Sequence, residues 1–296
     1  MRNTFIGELL KQAKTDESIL LLTGDLGYGV VDAFQNELPD QFINFGINEQ
    51  SMMGAAAGLA ASGYKPFVYS IGNFPTFRCL EQVRNDVAYM NLNVTIVALG
   101  AGFSYGTAGY SHHLIEDLGA LTGLPNIKTY SPADSLETKS VLKLVLENES
   151  PKYVRLGKGG EPDLISAFDN SFPGLSILKG NSDFAIITTG GILNEAIKLR
   201  ELCEDENPTI LSFYDLSIIG VYLSLHKFSK ILTIEEHILR GGFGSLVAEN
   251  LNWNSCDFER FGIARVNSEI SGSQNYLRDQ YGLSAEKIFL ASQLCK

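Results

Sequence analysis

Short apolar runs alternate with amphipathic stretches along the chain, and that alternation predicts an α/β fold built on parallel sheet. Residues 3–14 carry Phe5, Leu9 and Leu10 at helical spacing, so an amphipathic helix is expected there. Residues 18–22 are an apolar run leading into Thr23-Gly24-Asp25, the pattern of a buried strand and a turn. Residues 50–62 are small and apolar, which suits a helix packed closely against other backbone. Further strands are expected at 66–70, 94–99, 127–130 and 153–156, with helices over 77–90 and 133–148.

Residues 157–182 interrupt this rhythm with five Gly and two Pro and little periodicity. The alternation restarts beyond them, with strands at 184–188, 210–213 and 231–234 and a helix over 193–203. The expected organisation is two consecutive α/β domains with mainly parallel sheets, at 1–160 and 183–296, joined by a linker at 161–182. A length of 296 residues agrees with two domains.

Composition narrows the function. The chain is 45% hydrophobic and 19% charged, which excludes disordered and fibrous classes. With 23 Lys+Arg against 34 Asp+Glu, the net charge of −11 disfavours duplex nucleic acid and anionic membrane as partners. An anionic substrate would have to be held by a few placed cations. The 4 cysteines form no CxxC pair, no segment reaches ~18 uninterrupted apolar residues, and the first residues become charged before any signal-length apolar run. A cytoplasmic enzyme or enzyme subunit is expected.

Four segments hold candidate chemistry. In 44–53, Glu49 stands where an irregular stretch enters the small-residue helix; it is either a helix-start charge or a carboxylate placed for proton transfer. Segment 100–113, GAGFSYGTAGYSHH, follows a strand, but its Gly-x-Gly-x-x-x-Gly spacing departs from the dinucleotide fingerprint. His112, His113 and Glu116 make a poor metal set, because adjacent histidines diverge. A glycine-rich loop ending in His suits an active-site lining. Segment 69–85 places Phe74 and Phe77 about Pro75, as core aromatics or as faces for a flat ring. The run Gly241-Gly242-Phe243-Gly244 has no Lys-Ser/Thr after it, so close helix packing is the better reading than a phosphate cradle.

In order and spacing, these segments resemble the carboxy-terminal half of transketolases. The resemblance rests on LTGDL (22–26), NFGINEQSMMGAAAGLAASGYKPFVYS (44–70), EQVRNDVA (81–88), GYSHHLIEDL (109–118), LPNIKTYSPAD (124–134), YVRLGKG (153–159) and ILTIEEHILRGGFGS (231–245). It implies a pyrimidine-binding domain followed by a C-terminal domain of a thiamine-diphosphate enzyme. By the resemblance, Glu49 is the carboxylic acid that shares a proton with N1′ of the cofactor's aminopyrimidine. Phe74 or Phe77 would lie against that ring, with Tyr69 as a weaker third. His112 would contact the substrate beside its reacting carbonyl. Arg2 and Lys158 match two basic positions that hold a sugar phosphate, where lysine brings a point charge instead of a planar fork.

Two departures bear on the substrate. Gly106-Thr107-Ala108-Gly109 stands where the family commonly reads Gly-Glu-Asp-Gly, and Gly27-Tyr28-Gly29 lacks the serine that often helps hold phosphate. A nonstandard sugar is therefore expected. The Gly-Asp-Gly…Asn-Asn signature that ligates the diphosphate's metal is missing from this sequence, and no metal ligand is assigned here. The resemblance thus implies a split transketolase. An N-terminal-type partner subunit would hold the diphosphate with Mg²⁺ or Ca²⁺, in an α₂β₂ assembly. Two alternatives stay open: the beta subunit of a 2-oxoacid dehydrogenase, and a non-catalytic subunit completing a partner's fold.

Overall fold

A computed structural model describes residues 1–251, 256–293 and 295. The chain forms two α/β domains, each built on its own sheet. The first sheet contains β1 (Ile19–Thr23), β2 (Phe42–Asn44), β3 (Lys65–Ile71), β4 (Thr95–Leu99), β5 (Lys128–Tyr130) and β6 (Lys152–Leu156). All its pairings are parallel, in the order β2-β1-β3-β4-β6-β5. The second contains β7 (Leu175–Leu178), β8 (Phe184–Thr188), β9 (Thr209–Phe213), β10 (Lys230–Ile238) and β11 (Asp257–Ile263). Its order is β11-β10-β8-β9-β7, parallel except for the edge strand β7.

Strand periodicity accounts for the layers. Along β1, Ile19 and Leu21 face the helices Arg2–Ala13 and Ser135–Leu146, while Leu20 and Leu22 face the helix Glu49–Ala61. Both faces are covered, which is why β1, β4 and β6 read as unbroken apolar runs. Each large apolar side chain so buried contributes about 1.5–3 kcal/mol.

The structure adds to the expected elements. β2 and β11 are edge strands with part-exposed residues, and neither has a buried run to announce it. Within the stretch expected as linker, Leu175–Leu178 pairs antiparallel with β9 as β7. The helix expected over 77–90 is wound with wide turns over Phe74–Arg78 and Val83–Tyr89. In the helix Glu49–Ala61, Met52, Met53, Ala56 and Ala57 pack inward, but Gly54 and Gly58 face open space, so the close packing expected there is absent within this chain. Gly242 does pack as expected: a Cβ there would lie 2.1 Å from Glu235 Oε2. Among the described residues, no helix is long and apolar enough to cross a membrane.

The two domains meet over a polar seam. Arg155 Nε donates to Asp117 Oδ2 at 2.8 Å, and Tyr153 shares that oxygen at 2.8 Å. Glu137, fully buried on the helix Ser135–Leu146, accepts from Ala133 N and faces Ser176 and Ser212 of the second sheet. Burial pushes its carboxyl up to about 7.

Candidate functional site

From β1 the chain steps outward to β2, then crosses back to β3 on the other side. The carboxyl ends of β1 and β3 therefore flank a switch point, where open α/β sheets leave a crevice. The loops at that edge are those singled out by sequence: 24–29 after β1, 45–49 after β2, 72–78 after β3 and 100–113 after β4.

Glu49 opens the helix Glu49–Ala61 and is 2% exposed. Its Oε2 lies 2.5 Å from Arg78 Nη1. The Arg78 guanidinium stands 4.6 Å above the centre of the Phe74 ring, and Phe74 meets His112 edge-on at 5.7 Å. Ser111 Oγ is 3.0 Å from His112 Nδ1, and Asn73 Nδ2 donates to Ser111 O at 2.7 Å, tying this loop to the one after β3. Glu49, Phe74 and His112 thus form one group through Arg78, while Phe77 is 38% exposed. Burial, reinforced by the Glu49 charge, pushes the neighbouring Cys79 thiol up to about 12, which leaves it inert. The two histidines diverge as expected: His113 is buried, with Nε2 3.1 Å from Gly106 O.

A second group stands beside this one. Tyr69 is fully buried, its hydroxyl has no hydrogen-bond partner, and the charge of Arg2 and the ring of Tyr105 act on it. Burial raises its pKa. Lys158 Nζ lies 5.9 Å from the centre of the Tyr105 ring. Lys158 also lines a cavity of about 270 Å³ between the domains, with Ser104, Gln274 and Arg278. Thr107 and Ala108 are exposed on a short turn and bring no carboxylate.

The donor set suits one end of a thiamine cofactor. A planar cation already lies between the buried carboxylate and an aromatic face, so a flat ring bearing N–H groups meets the same partners. Among the described residues, no three His, Cys, Asp or Glu side chains stand together as metal ligands. Sequence reasoning passes over Arg78, although a cation directly after Phe77 was the available signal. Tyr105 and the second-domain residues at the cavity carry no local signal at all.

Comparison with known proteins agrees with this geometry. Residues 1–160 match the family model described as transketolase, pyrimidine binding domain, and residues 175–288 match transketolase, C-terminal domain. One of the two chains of an apulose-4-phosphate transketolase from Phocaeicola vulgatus is 32% identical over 97% of this chain and 94% of its own. A 6-deoxy-6-sulfo-D-fructose transketolase subunit from Clostridium sp. is 30% identical over 99% of this chain and 93% of its own. A solved structure described as a split gene transketolase, inactive beta4 tetramer, superposes with a TM-score of 0.84 at 30% identity, covering 99% of this chain and 97% of that one. With two domain models matched in order and relatives aligned almost end to end, this chain belongs to the transketolase family.

Proposed function

We propose that this chain is one subunit of a split, thiamine-diphosphate-dependent transketolase that moves a two-carbon ketol unit from a ketose to an aldose. The observation that carries the reading is the buried Glu49 carboxylate, bonded to a planar cation over Phe74, with His112 at the ring's edge. Thiamine diphosphate, when bound, supplies the carbanion chemistry. Glu49 bonds N1′ of the aminopyrimidine and exchanges a proton with it, and half-exposed Arg78 gives up its carboxylate oxygen to the ring. Phe74 offers the ring its face; Phe77 and Tyr69 are the lesser candidates. His112 bonds substrate hydroxyls and takes part in proton transfer near the reacting carbonyl.

Arg2 and Lys158 hold the substrate's anionic end, beside Tyr69 and Tyr105. The substrates in the relatives' names, a 4-phosphate and a 6-sulfo ketose, each carry an anionic group. Without a carboxylate at Thr107-Ala108, a ketose other than the ordinary pentose phosphates is the expected donor. Arg2→Ala should raise the KM of an anionic substrate about tenfold, the worth of one charge-assisted hydrogen bond, and added salt should raise the wild-type KM. A KM indifferent to both removes the phosphate role.

The domain division proposed here remains 1–160 and 183–296, and four free thiols suit the cytoplasm. Two exposed side chains flank the Glu49 opening: Tyr28, 77% exposed, and Ile47, 80% exposed. Apolar surface bare beside a site supports a partner subunit that closes it and holds the diphosphate with Mg²⁺ or Ca²⁺. The bare small-residue face at Gly54 and Gly58 supports self-association in an α₂β₂ assembly.

The test is reconstitution with a chain carrying Gly-Asp-Gly…Asn-Asn, assayed for glycolaldehyde transfer across a panel of ketose donors and aldose acceptors. The expected result is metal-dependent transfer by the pair and none by this chain alone. Decarboxylation of a 2-oxoacid, or tight metal-dependent cofactor binding by the isolated chain, overturns the proposal.

A further inference from the structure

The second sheet has its own switch point, between β8 and β10, and its carboxyl edge is turned on the first domain. Thr189 Oγ and Gly190 N, after β8, both donate to Ser131 O. Near the end of β10, Glu236 reaches 133 residues back along the chain. Its Oε1 accepts from the backbone N–H of Phe103 at 2.7 Å. The crevice that such sheets usually leave for a ligand is here filled by a loop of the neighbouring domain.

That loop is the one bearing His112. It is pinched shut by paired bonds between Gly102 and Leu114, each 2.9 Å. Its near half is held by the second domain. The Phe103 ring lies in the second domain's core and stacks on Tyr281 at 5.2 Å and 10°. Gly272 N donates to Gly106 O at 3.2 Å. Its far half carries His112 to Phe74. Gly102 makes the approach possible: its φ is +62°, and a Cβ there would lie 2.6 Å from Glu236 Cδ.

Glu236 is 5% exposed, and three groups compensate its charge. Arg278 Nε donates to Oε2 at 2.9 Å, Arg278 Nη2 donates to the same oxygen, and Gln274 Nε2 reaches both oxygens at 3.0 and 3.1 Å. A buried ion pair adds little net stability over apolar packing, so stability alone gives no reason for it. Its geometric effect is definite. An anionic acceptor locked by a planar guanidinium holds a peptide N–H in one direction more firmly than a neutral one does.

We infer that Glu236 is a positioning residue: through Phe103 N it fixes the Gly100–His113 loop, and with it the place of His112 at the active site. Glu236 acts only through this loop, and the inference rests on the function proposed above. The second domain thereby contributes to the reaction by immobilising a loop of the first.

Amide hydrogen exchange on the full-length chain tests the inference without any activity. In Glu236→Ala, residues 103–113 should exchange about tenfold faster or more, while β1 and β3 keep their protection. In the double variant Glu236→Gln/Arg278→Gln, which removes the charges but keeps an acceptor for Phe103 N, protection of the loop should stay within about threefold of wild type. If Glu236→Ala does not fold, Gln274→Ala leaves the Arg278 pair intact and should loosen the same residues to a smaller degree. In the complex with its partner, Glu236→Ala should lower kcat about tenfold or more without changing the affinity for thiamine diphosphate, and the double variant should restore it. A folded Glu236→Ala with an unchanged loop overturns the inference. So does equal loss of protection in the loop and in β10, the mark of a merely structural role. Wild-type complex without ketol transfer would instead sink the functional proposal and leave the exchange result standing.

Discussion

Glu49→Gln should reduce ketol transfer by the reconstituted complex on the order of 10³-fold, within the range that positioned acid–base groups contribute. The fold should survive, because glutamine keeps the length of the side chain and an oxygen that Arg78 can still bond. What it loses is the acidic proton that Glu49 exchanges with the ring. The loss therefore belongs to kcat, with thermal stability within a few degrees of wild type. Arg78 is 45% exposed, so breaking its contact with Glu49 is partly made up by solvent. Phe74→Ala provides the contrast: it removes a stacking face and should weaken cofactor affinity more than it slows the bound complex. A stable Glu49→Gln protein turning over within tenfold of wild type would remove the carboxylate from the mechanism.

The second large effect concerns stability. Glu137 is fully buried between the domains, and its carboxyl is raised from 4.5 to about 7. The folded state therefore prefers the protonated form. Its contribution is fully present below the unfolded pKa, near 4.3, and is lost as pH rises through about 7. The shift corresponds to about 3 kcal/mol lost across that window. In Glu137→Gln the group is neutral at every pH, and its amide can still accept from Ala133 N. Wild type and variant should melt together near pH 5. By pH 8 the wild type should melt several degrees lower than the variant. Glu235, raised to about 8 by burial, titrates in the same direction, so some alkaline loss persists in the variant. His237, lowered to about 4 by burial, acts at the other end: its contribution is present above 6.5 and lost as pH falls through about 4. Parallel melting curves for wild type and Glu137→Gln between pH 5 and 8 would show that the seam does not titrate at Glu137.

Legibility in the sequence tracked how local each signal was. β1, β4, β6 and β8 are fully buried on both faces, so their apolar runs are complete in the sequence. The three-residue β2 and part-exposed β11 bury too little to leave such a run, and β7 lies among glycines and prolines. At the site, Glu49 and His112 were legible because each sits in a distinctive string of neighbours, and the structure brings both to one crevice with Phe74. The choice between Phe74 and Phe77 was not legible. Both flank Pro75, and only the wide-turned helix decides which ring lies beside Arg78 and His112. Arg78 itself was passed over, because its meaning depends on a carboxylate 29 residues away.

By itself, the sequence determined two α/β domains, the family, and which loops carry the chemistry. Periodicity and motif are properties of near neighbours, and a strand or loop keeps them wherever it lies. The tertiary structure alone decided the pairings: Arg78 on Glu49, Tyr105 between Arg2 and Lys158, Glu137 against the serines of the second sheet, and Glu236 on the peptide of Phe103. Those contacts depend on strand order and on the docking of one sheet's switch point against the other domain's loop. Both follow from burying apolar faces across the whole molecule, which no local window contains.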